Sequence, residues 1–181
     1  MALTATVRKA ELQISDLDRG YYASHNLTVA QHPSETDERL MLRLLAFALF
    51  ADDRLAFGRG LSNEEEPDLW RRDYGGEIEQ WIDLGTPDES RLRKACGRAR
   101  EVIVLAYGGQ AVETWWKKNG AALSRQRQLR VIEIDPAATA ALAALIARGM
   151  RFDVLIQDGE VQFLGESESA TVVPIERTAT A

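Results

Sequence analysis

The stretch from residue 64 to residue 100 constrains the fold more than any other part of the chain. Within it, residues 68–73 and 77–84 alternate in side-chain direction as β-strands do. The tetrapeptide Asp73-Tyr74-Gly75-Gly76 separates the two segments, and glycine there supplies the positive φ that a tight connection needs. The pattern therefore predicts an antiparallel hairpin.

The predicted hairpin brings two carboxylates to its open end. Asp68 begins the first strand and Asp83 lies near the end of the second, so we expect their side chains on neighbouring strands. Two ionised carboxylates held side by side repel each other, and a positive charge must compensate them. A divalent cation with oxygen ligands is one solution, and an ion pair with Arg71 or Arg72 is the other.

A helix is predicted directly after the hairpin. Thr86, Pro87 and Glu89 form a capping box with proline at the first helical position. Arg91 and Lys94 lie together on one flank of the apolar stripe of this helix. Lys94 is therefore not at the centre of the buried stripe.

The most strongly marked helix covers residues 35–51. Pro33 ends the preceding strand, and Ser34 is the expected N-cap. Residues 40–51 are apolar on every side apart from Arg43, which predicts a helix buried between other layers.

Two acidic residues lie at the start of this helix. Glu38 is at the N-terminal end of the apolar stripe, so its carboxylate is expected to point toward the core or a cleft in the core. A favourable interaction with the helix dipole is the alternative role for Glu38. Glu35 is rotated away from the stripe and has Arg39 four residues later, which predicts a surface ion pair.

The rest of the chain predicts a mixed α/β protein. The remaining elements are an N-terminal hairpin (3–14 and 21–30), a strand (102–107), a helix (110–123), a strand (129–134), an alanine-rich helix (137–150) and a closing hairpin (152–157 and 161–164). We expect a single domain over residues 1–168 and a weakly ordered tail over residues 169–181, in which an edge strand over residues 171–175 is the alternative.

Composition limits the class of protein. The chain has 181 residues, of which 45% are hydrophobic, and this is enough apolar material for one well-cored domain. Its single cysteine excludes an internal disulfide, and no apolar run approaches the roughly 20 residues that span a bilayer. We therefore expect a cytoplasmic protein without a membrane partner. The net charge of −6 disfavours nucleic-acid binding by bulk electrostatics, so such a partner must use local basic patches.

The order helix, strand hairpin, helix and strand resembles the core of the PD-(D/E)XK nuclease superfamily, with Glu38, Asp68, Asp83 and Lys94 on these elements. The resemblance extends to one variant branch of that superfamily, the YaeQ family. The segments that carry it are HPSETDERLMLRLLAFALFADDRLAFGRGL, EEEPDLW, WIDLGTPDESRLRKA and IQDG.

This resemblance implies a restriction-endonuclease-like core, with a mixed central sheet flanked by helices, behind an N-terminal β-hairpin. It also implies metal-dependent cleavage of phosphodiesters. Glu38, Asp68 and Asp83 would bind one or two Mg²⁺ or Mn²⁺ ions, with the Leu84 carbonyl as a further ligand, and Lys94 would orient or activate the attacking water. Mg²⁺ suits this chemistry because it lowers the pKa of bound water and neutralises phosphate charge.

The sequence departs from the superfamily at the lysine two residues after the second carboxylate, where it has Gly85. Lys94 on the following helix is the candidate replacement, and Arg91, one turn earlier, is a candidate contact for the substrate phosphate. Two functional hypotheses follow. The first is a cytoplasmic Mg²⁺-dependent nuclease that acts on nucleic acid. The second is a nuclease-fold protein without catalysis that binds another protein or an RNA.

The first hypothesis also predicts a basic surface that faces phosphate. Its members would be Arg91, Arg93, Lys94, Arg98, Arg100, Lys117, Lys118, Arg125, Arg127 and Arg130.

Overall fold

The computed structural model describes residues 4–61 and 63–178. In chain order these contain β1 (Thr6–Asp16), β2 (Tyr21–Gln31), α1 (Asp37–Leu49), β3 (Leu55–Phe57), β4 (Leu69–Arg72), β5 (Ile78–Leu84), α2 (Glu89–Cys96), β6 (Ala99–Tyr107), α3 (Gln110–Leu123), β7 (Leu129–Ile134), α4 (Pro136–Ala143), β8 (Gly149–Gln157), β9 (Glu160–Leu164), β10 (Ser169–Val172) and β11 (Ile175–Arg177). The mixed α/β class predicted from the sequence is confirmed.

The chain divides into two compact units. The first is built from the chain up to Leu49 together with Ala137–Pro174, and the second from Phe50–Pro136 together with the chain from Ile175 onward. The single domain expected over residues 1–168 stays a prediction, because compact units of one chain fold either together or separately.

The first unit contains a five-stranded sheet in the order β10-β9-β8-β1-β2. The predicted N-terminal hairpin is present as β1 and β2, which pair antiparallel over their whole length. β8 pairs parallel with β1, and the remaining neighbours in this sheet are antiparallel. Alternate residues of β1 and β8 are buried, as expected for strands with one face on the core.

Helix α1 belongs to the first unit and is buried as its apolar sequence predicts. Every residue from Leu40 to Ala48 is buried, including Arg43. Its N-cap is Thr36 rather than Ser34, since the Thr36 hydroxyl accepts the N–H of Arg39 at 3.2 Å. The ring of Phe47 lies edge-on to that of His25 on β2, with 5.0 Å between the ring centroids.

The second unit contains a six-stranded mixed sheet in the order β11-β7-β6-β5-β4-β3. The predicted hairpin is β4 and β5, and β5 runs parallel to β6, as β6 does to β7. The edge strands β3 and β11 are antiparallel to their neighbours. Helices α2 and α3 pack on one face of this sheet, where Leu92 and Trp115 join Trp81, Val102 and Val104 in one apolar core.

Several element boundaries differ from the sequence prediction. Helix α4 ends at Ala143, because the chain re-enters the first sheet at Gly149, which pairs with Lys9. Helix α2 begins at Glu89 after an Asp88 N-cap, two residues later than the capping box at Thr86 indicates. Of the expected tail, residues 169–178 contain the edge strands β10 and β11, and residues 179–181 lie outside the described part of the chain. The weak order expected of this tail stays a prediction.

Among the described residues, none of the helices combines the length and the apolar character needed to cross a membrane.

Candidate functional site

Asp68 and Asp83 lie opposite each other at the open end of the β4–β5 hairpin. The antiparallel register pairs Leu69 with Ile82, and its continuation places Asp68 opposite Asp83. Both side chains are buried, since Asp68 is 8% exposed and Asp83 is 2% exposed. Gly58 fixes the backbone there, because its N–H donates to the carbonyl of Asp68 at 2.9 Å. The second unit thus brings together two of the three carboxylates named by the sequence.

The carboxylate of Asp68 is held by the neighbouring strand. Its Oδ2 accepts the backbone N–H of Leu84, the residue after Asp83, at 2.8 Å. Leu84, whose carbonyl the resemblance names as a further ligand, is therefore already tied to the pair. This hydrogen bond satisfies one oxygen of a carboxylate that is largely shielded from water.

The carboxylate of Asp83 is bridged by Arg91 of α2. Arg91 Nε donates to Oδ2 at 2.8 Å and Nη2 donates to Oδ1 at 3.1 Å, so both oxygens of Asp83 are engaged. Such a two-pronged guanidinium–carboxylate contact is strong and geometrically specific. The positive charge that the sequence requires here is thus supplied by Arg91. Arg71 pairs instead with Glu79 at 2.8 Å, and Arg72 lies over the ring of Trp70.

Arg91 also holds the acidic loop that precedes β4. Its Nη1 donates to the carbonyl of Glu64 at 2.6 Å and its Nη2 donates to the carbonyl of Glu66 at 2.9 Å. Arg98 donates to the carbonyl of Glu65 at 2.9 Å. Two arginines therefore bind the backbone of residues 64–66, while the side chains of Glu64 and Glu65 are exposed.

The electrostatics of Arg91 shows how closely the charges converge. The hydrogen bond to Asp83 raises the pKa of Arg91 above its usual value, and the charges of Asp83, Asp68 and Glu64 act in the same direction. Partial burial of the guanidinium opposes these effects. Arg91 is therefore a permanent cation next to both aspartates.

Lys94 does not take the predicted position next to Asp83. It is exposed on α2, three residues after Arg91, and in the described chain it forms no ion pair with Asp83. As the replacement for the missing lysine, Lys94 was expected to place its ammonium close to Asp83 or to a metal-bound water. The contact with Asp83 is not formed, because the side chain that faces Asp83 is Arg91, one turn earlier. The contact with a metal-bound water stays a prediction. The catalytic role of Lys94 stays a prediction.

Gly85 stands where the resemblance to the nuclease superfamily leads one to expect a lysine. Gly85 occupies that position with φ of 93°, a conformation that residues with a Cβ adopt only under strain. Its N–H donates to the carbonyl of Leu105 at 2.8 Å and so holds the end of β5 against β6. A lysine at this position would strain the turn that leads into α2.

Glu38 lies in the first unit, in the first turn of α1, and is exposed. The expectation that its carboxylate points toward the core is wrong for this residue. The buried carboxylate is that of Glu35, which Arg43 holds with contacts of 2.9 and 2.7 Å. Glu35 therefore does not pair with Arg39 on the surface as predicted, since the Arg43 side chain reaches it inside the unit.

Trp81 is a member of the second-unit site that sequence reasoning missed. It lies two residues before Asp83 on the same face of β5, and the guanidinium carbons of Arg91 and Arg98 are 5.7 and 5.2 Å from its ring centroid. Its indole Nε1 is buried and has no hydrogen-bond partner among the described residues. The period of two along β5, which puts Trp81 beside Asp83, was the available indication.

The predicted phosphate-facing basic surface is partly neutralised. Arg93 pairs with Glu89, Arg100 with Asp73 and Glu77, and Arg130 with Glu101 and Glu176. The exposed members that form no ion pair within the described chain are Lys94, Lys117, Lys118, Arg125 and Arg127. These five cations are available to a polyanion without loss of an internal ion pair.

Metal-binding capacity rests on the carboxylate pair. The described residues contain no group of three or more His, Cys, Asp or Glu side chains arranged to hold a metal ion. Asp68 and Asp83 together still offer buried, negatively charged oxygen donors, the ligand type that Mg²⁺ and Mn²⁺ prefer.

The fold and this site define a mixed α/β protein with two mixed sheets and an arginine-bridged pair of aspartates at the end of a central hairpin. The model of one protein family, described as YaeQ protein, matches residues 1–174. The chain belongs to the YaeQ family.

Relatives and solved structures agree with this assignment. The chain is 44% identical over 161 residues to the "Uncharacterized protein YaeQ" of Salmonella typhi and to that of Escherichia coli K12, and the match covers 89% of each chain. The crystal structure of the YaeQ protein from Xanthomonas axonopodis pv. citri superposes with a TM-score of 0.94 at 72% identity, covering 98% of this chain and 100% of that one. The YaeQ protein from Pseudomonas syringae has a TM-score of 0.92 at 35% identity, with 97% of each chain covered.

Proposed function

We propose that this protein is a cytoplasmic, Mg²⁺-dependent nuclease of the PD-(D/E)XK type, with a restriction-endonuclease-like fold. The observation that carries the proposal is the opposition of Asp68 and Asp83, both buried, at the open end of an antiparallel hairpin. The superfamily that the sequence resembles binds its metal with carboxylates on the corresponding hairpin.

The residues of this site fit a hard divalent cation. Mg²⁺ is commonly held by one or two carboxylates, with water and substrate phosphate completing its shell, so two aspartates are a sufficient donor set. Asp83 already binds one cationic group, the guanidinium of Arg91. When bound, Mg²⁺ or Mn²⁺ would lower the pKa of a coordinated water and neutralise charge on the phosphate.

The chain's own residues have distinct roles in this proposal. Asp68 and Asp83 would bind the metal cation, and the N–H of Leu84 orients Asp68. Arg91 would bind the substrate phosphate through the N–H groups that donate to Asp83 in this structure. Lys94 presents an ammonium one turn along the same helix and neutralises charge that develops on the phosphate.

The role of Glu38 as a third metal-binding carboxylate, which the resemblance implies, stays a prediction. Its substitution belongs in the same experiment because the effect on metal binding can be measured without assuming a position for it.

The test combines metal binding and cleavage. Calorimetry with Mg²⁺ and Mn²⁺, and cleavage of single- and double-stranded DNA and RNA, should be compared across the wild type, Asp68→Asn, Asp83→Asn, Glu38→Gln and Lys94→Ala. Asp68→Asn and Asp83→Asn should lose metal binding and cleavage together, because each removes a carboxylate that would bind the metal directly. Lys94→Ala should bind metal normally but cleave at least tenfold more slowly, about the smallest loss expected for a residue that acts on the phosphate.

A matched control is available on α2. Glu89→Gln removes an exposed carboxylate that pairs with Arg93 and should leave both metal binding and cleavage unchanged. Cleavage by the wild type that survives in Asp83→Asn would refute the proposal.

A second function is favoured by the Arg91 contacts. Arg91 engages both oxygens of Asp83 and two loop carbonyls, which suits a permanent structural bridge in a nuclease-fold protein without catalysis. In that case the protein binds an RNA or another protein. A wild type that binds neither Mg²⁺ nor Mn²⁺ and cleaves none of the four nucleic acids, yet binds single-stranded RNA, would support this second function.

A further inference from the structure

The two sheets of the described chain end in four edge strands of unequal length. β10, β3 and β11 contain four, three and three residues, whereas β2 contains 11. Proteins commonly keep edge strands short because an unpaired edge offers backbone N–H and C=O groups to other chains. Three edges follow this rule, and β2 does not.

The sequence of β2 lacks the other features that protect an edge. The segment YYASHNLTVAQ contains no Asp, Glu, Lys, Arg or Pro. Its register with β1 runs without a bulge over 11 residue pairs. Charge, proline and bulges are the usual means of preventing edge-to-edge pairing, so this strand is open to a partner.

The outer backbone of β2 is also unoccupied along most of its length. Among the described residues, no strand or side chain forms a hydrogen bond to the outward-facing backbone of residues 22–29. Arg43 first intervenes at Ala30, whose carbonyl accepts its Nη2 at 2.9 Å. About eight backbone positions therefore remain for an added strand, which would form about as many hydrogen bonds.

The core-facing side of β2 is incompletely covered. Ala23, His25 and Leu27 are only half-buried. Their direct partners across the ladder are Ile14, Leu12 and Ala10, which are 0%, 0% and 2% exposed. Opposite residues point to the same face of the sheet. The apolar layer on this face therefore covers β1 fully but covers β2 only in part.

We propose that β2 is a homodimer interface, at which the β2 strands of two copies of this chain pair antiparallel across a twofold axis. A second copy is the occupant because a two-fold axis presents the same strand to itself, and a strand without charge brings no like charges together. The axis lies near Asn26, the middle of the open segment. The pairing joins two five-stranded sheets into one ten-stranded sheet and extends the layer over Ala23, His25 and Leu27.

The substitution Asn26→Lys tests this interface. Asn26 is exposed, and Glu11 lies opposite it on β1, so the new ammonium is tolerated in the monomer. In the dimer two ammonium groups would meet at the twofold axis and repel. Gln13→Lys is the matched control, since it adds the same charge to the exposed face of β1, which is paired on both sides at that position.

Sedimentation velocity and light scattering over a concentration series give the readout. The wild type and Gln13→Lys should show a mass about twice that of the 20.2-kDa chain, with dissociation on dilution. Asn26→Lys should associate at least tenfold more weakly while keeping its circular dichroism spectrum. Hydrogen exchange in β2 should be slow in the wild type and fast in Asn26→Lys.

Two outcomes would overturn the proposal. One is a wild type that stays monomeric up to about 100 μM, a range in which a specific dimer is expected to form. The other is a dimer that Asn26→Lys leaves intact. A monomeric wild type in which β2 is protected only after a peptide of another protein is added would assign this edge to that partner instead.

Discussion

The substitution Arg91→Ala tests how the carboxylate pair is stabilised. The side chain of Asp83 is 3% exposed, and that of Arg91 is 28% exposed. Removal of the guanidinium leaves a buried carboxylate without its partner, and the loss of one member of a buried pair costs about 3–5 kcal/mol. Because Arg91 is partly solvated, we expect about 3 kcal/mol, the lower end of that range.

Urea unfolding of wild type and variant measures this free energy. Arg93→Ala is the matched control on the same helix, since Arg93 forms an exposed pair with Glu89 at i,i+4. That substitution should cost about 0.5 kcal/mol or less. The double variant Asp83→Asn with Arg91→Ala should be more stable than Arg91→Ala alone, because the unpaired charge is then absent.

The same variant connects stability to metal binding. With the guanidinium gone, Mg²⁺ can take its place on Asp83, and at ten times its Kd it would restore about 1.4 kcal/mol. The double variant should show no such gain. A cost below about 1 kcal/mol for Arg91→Ala, the level of a surface pair, would refute the account of Arg91 as the main partner of Asp83.

Three further outcomes are expected. Arg43→Ala should destabilise the protein by about 3–5 kcal/mol in urea unfolding, because the side chains of Arg43 and Glu35 are 5% and 3% exposed and form a buried pair. The pKa of Asp73 lies below its ordinary value, mainly because the N–H of Glu77 donates to its carboxylate. The stabilisation from Asp73 is therefore present above its unfolded-state pKa and is lost as the pH falls through the lower folded-state pKa. A carboxyl NMR titration should show the lowered pKa, and the Asp73→Asn variant should lack this loss of stability at acid pH. Gly58→Ala should cost about 1–3 kcal/mol and weaken metal binding, because a Cβ at Gly58 would lie 1.9 Å from the Pro67 carbonyl oxygen. Gly97 has φ of −77°, so Gly97→Ala should be neutral or slightly stabilising.

Local sequence patterns were sufficient to predict most of the second unit. The alternation along residues 68–84 and the glycines of its turn predicted β4 and β5, and the apolar run at 102–107 predicted the core of β6 beside them. These strands and their turn are predictable because they depend on the alternation of side chains and on the turn residues, both of which are properties of residues close together in sequence. The end of α4 is different, because β8 begins where a parallel pairing with β1 becomes available, far away in sequence.

The candidate site was predictable only where the strand register decides it. Asp68 and Asp83 follow from the hairpin. The pairing of Arg91 with Asp83 could not be predicted in this way. It depends on the direction in which the chain leaves β5 through Gly85, which is a property of the folded turn. Glu38 and Glu35 were also not predictable from local sequence. The N-cap is Thr36 rather than Ser34, and with this start of the helix the carboxylate of Glu35, not that of Glu38, is buried.

Electron paramagnetic resonance of Mn²⁺ measures directly whether the two aspartates form a metal site, because it counts the ions that the protein removes from the free pool. The wild type should bind one or two Mn²⁺ ions, excess Mg²⁺ should displace them, and Asp68→Asn and Asp83→Asn should each abolish this binding. Wild-type protein that leaves all Mn²⁺ free at about millimolar concentration, or an Asp83→Asn variant that binds as many ions as the wild type, would contradict a metal site at the two aspartates.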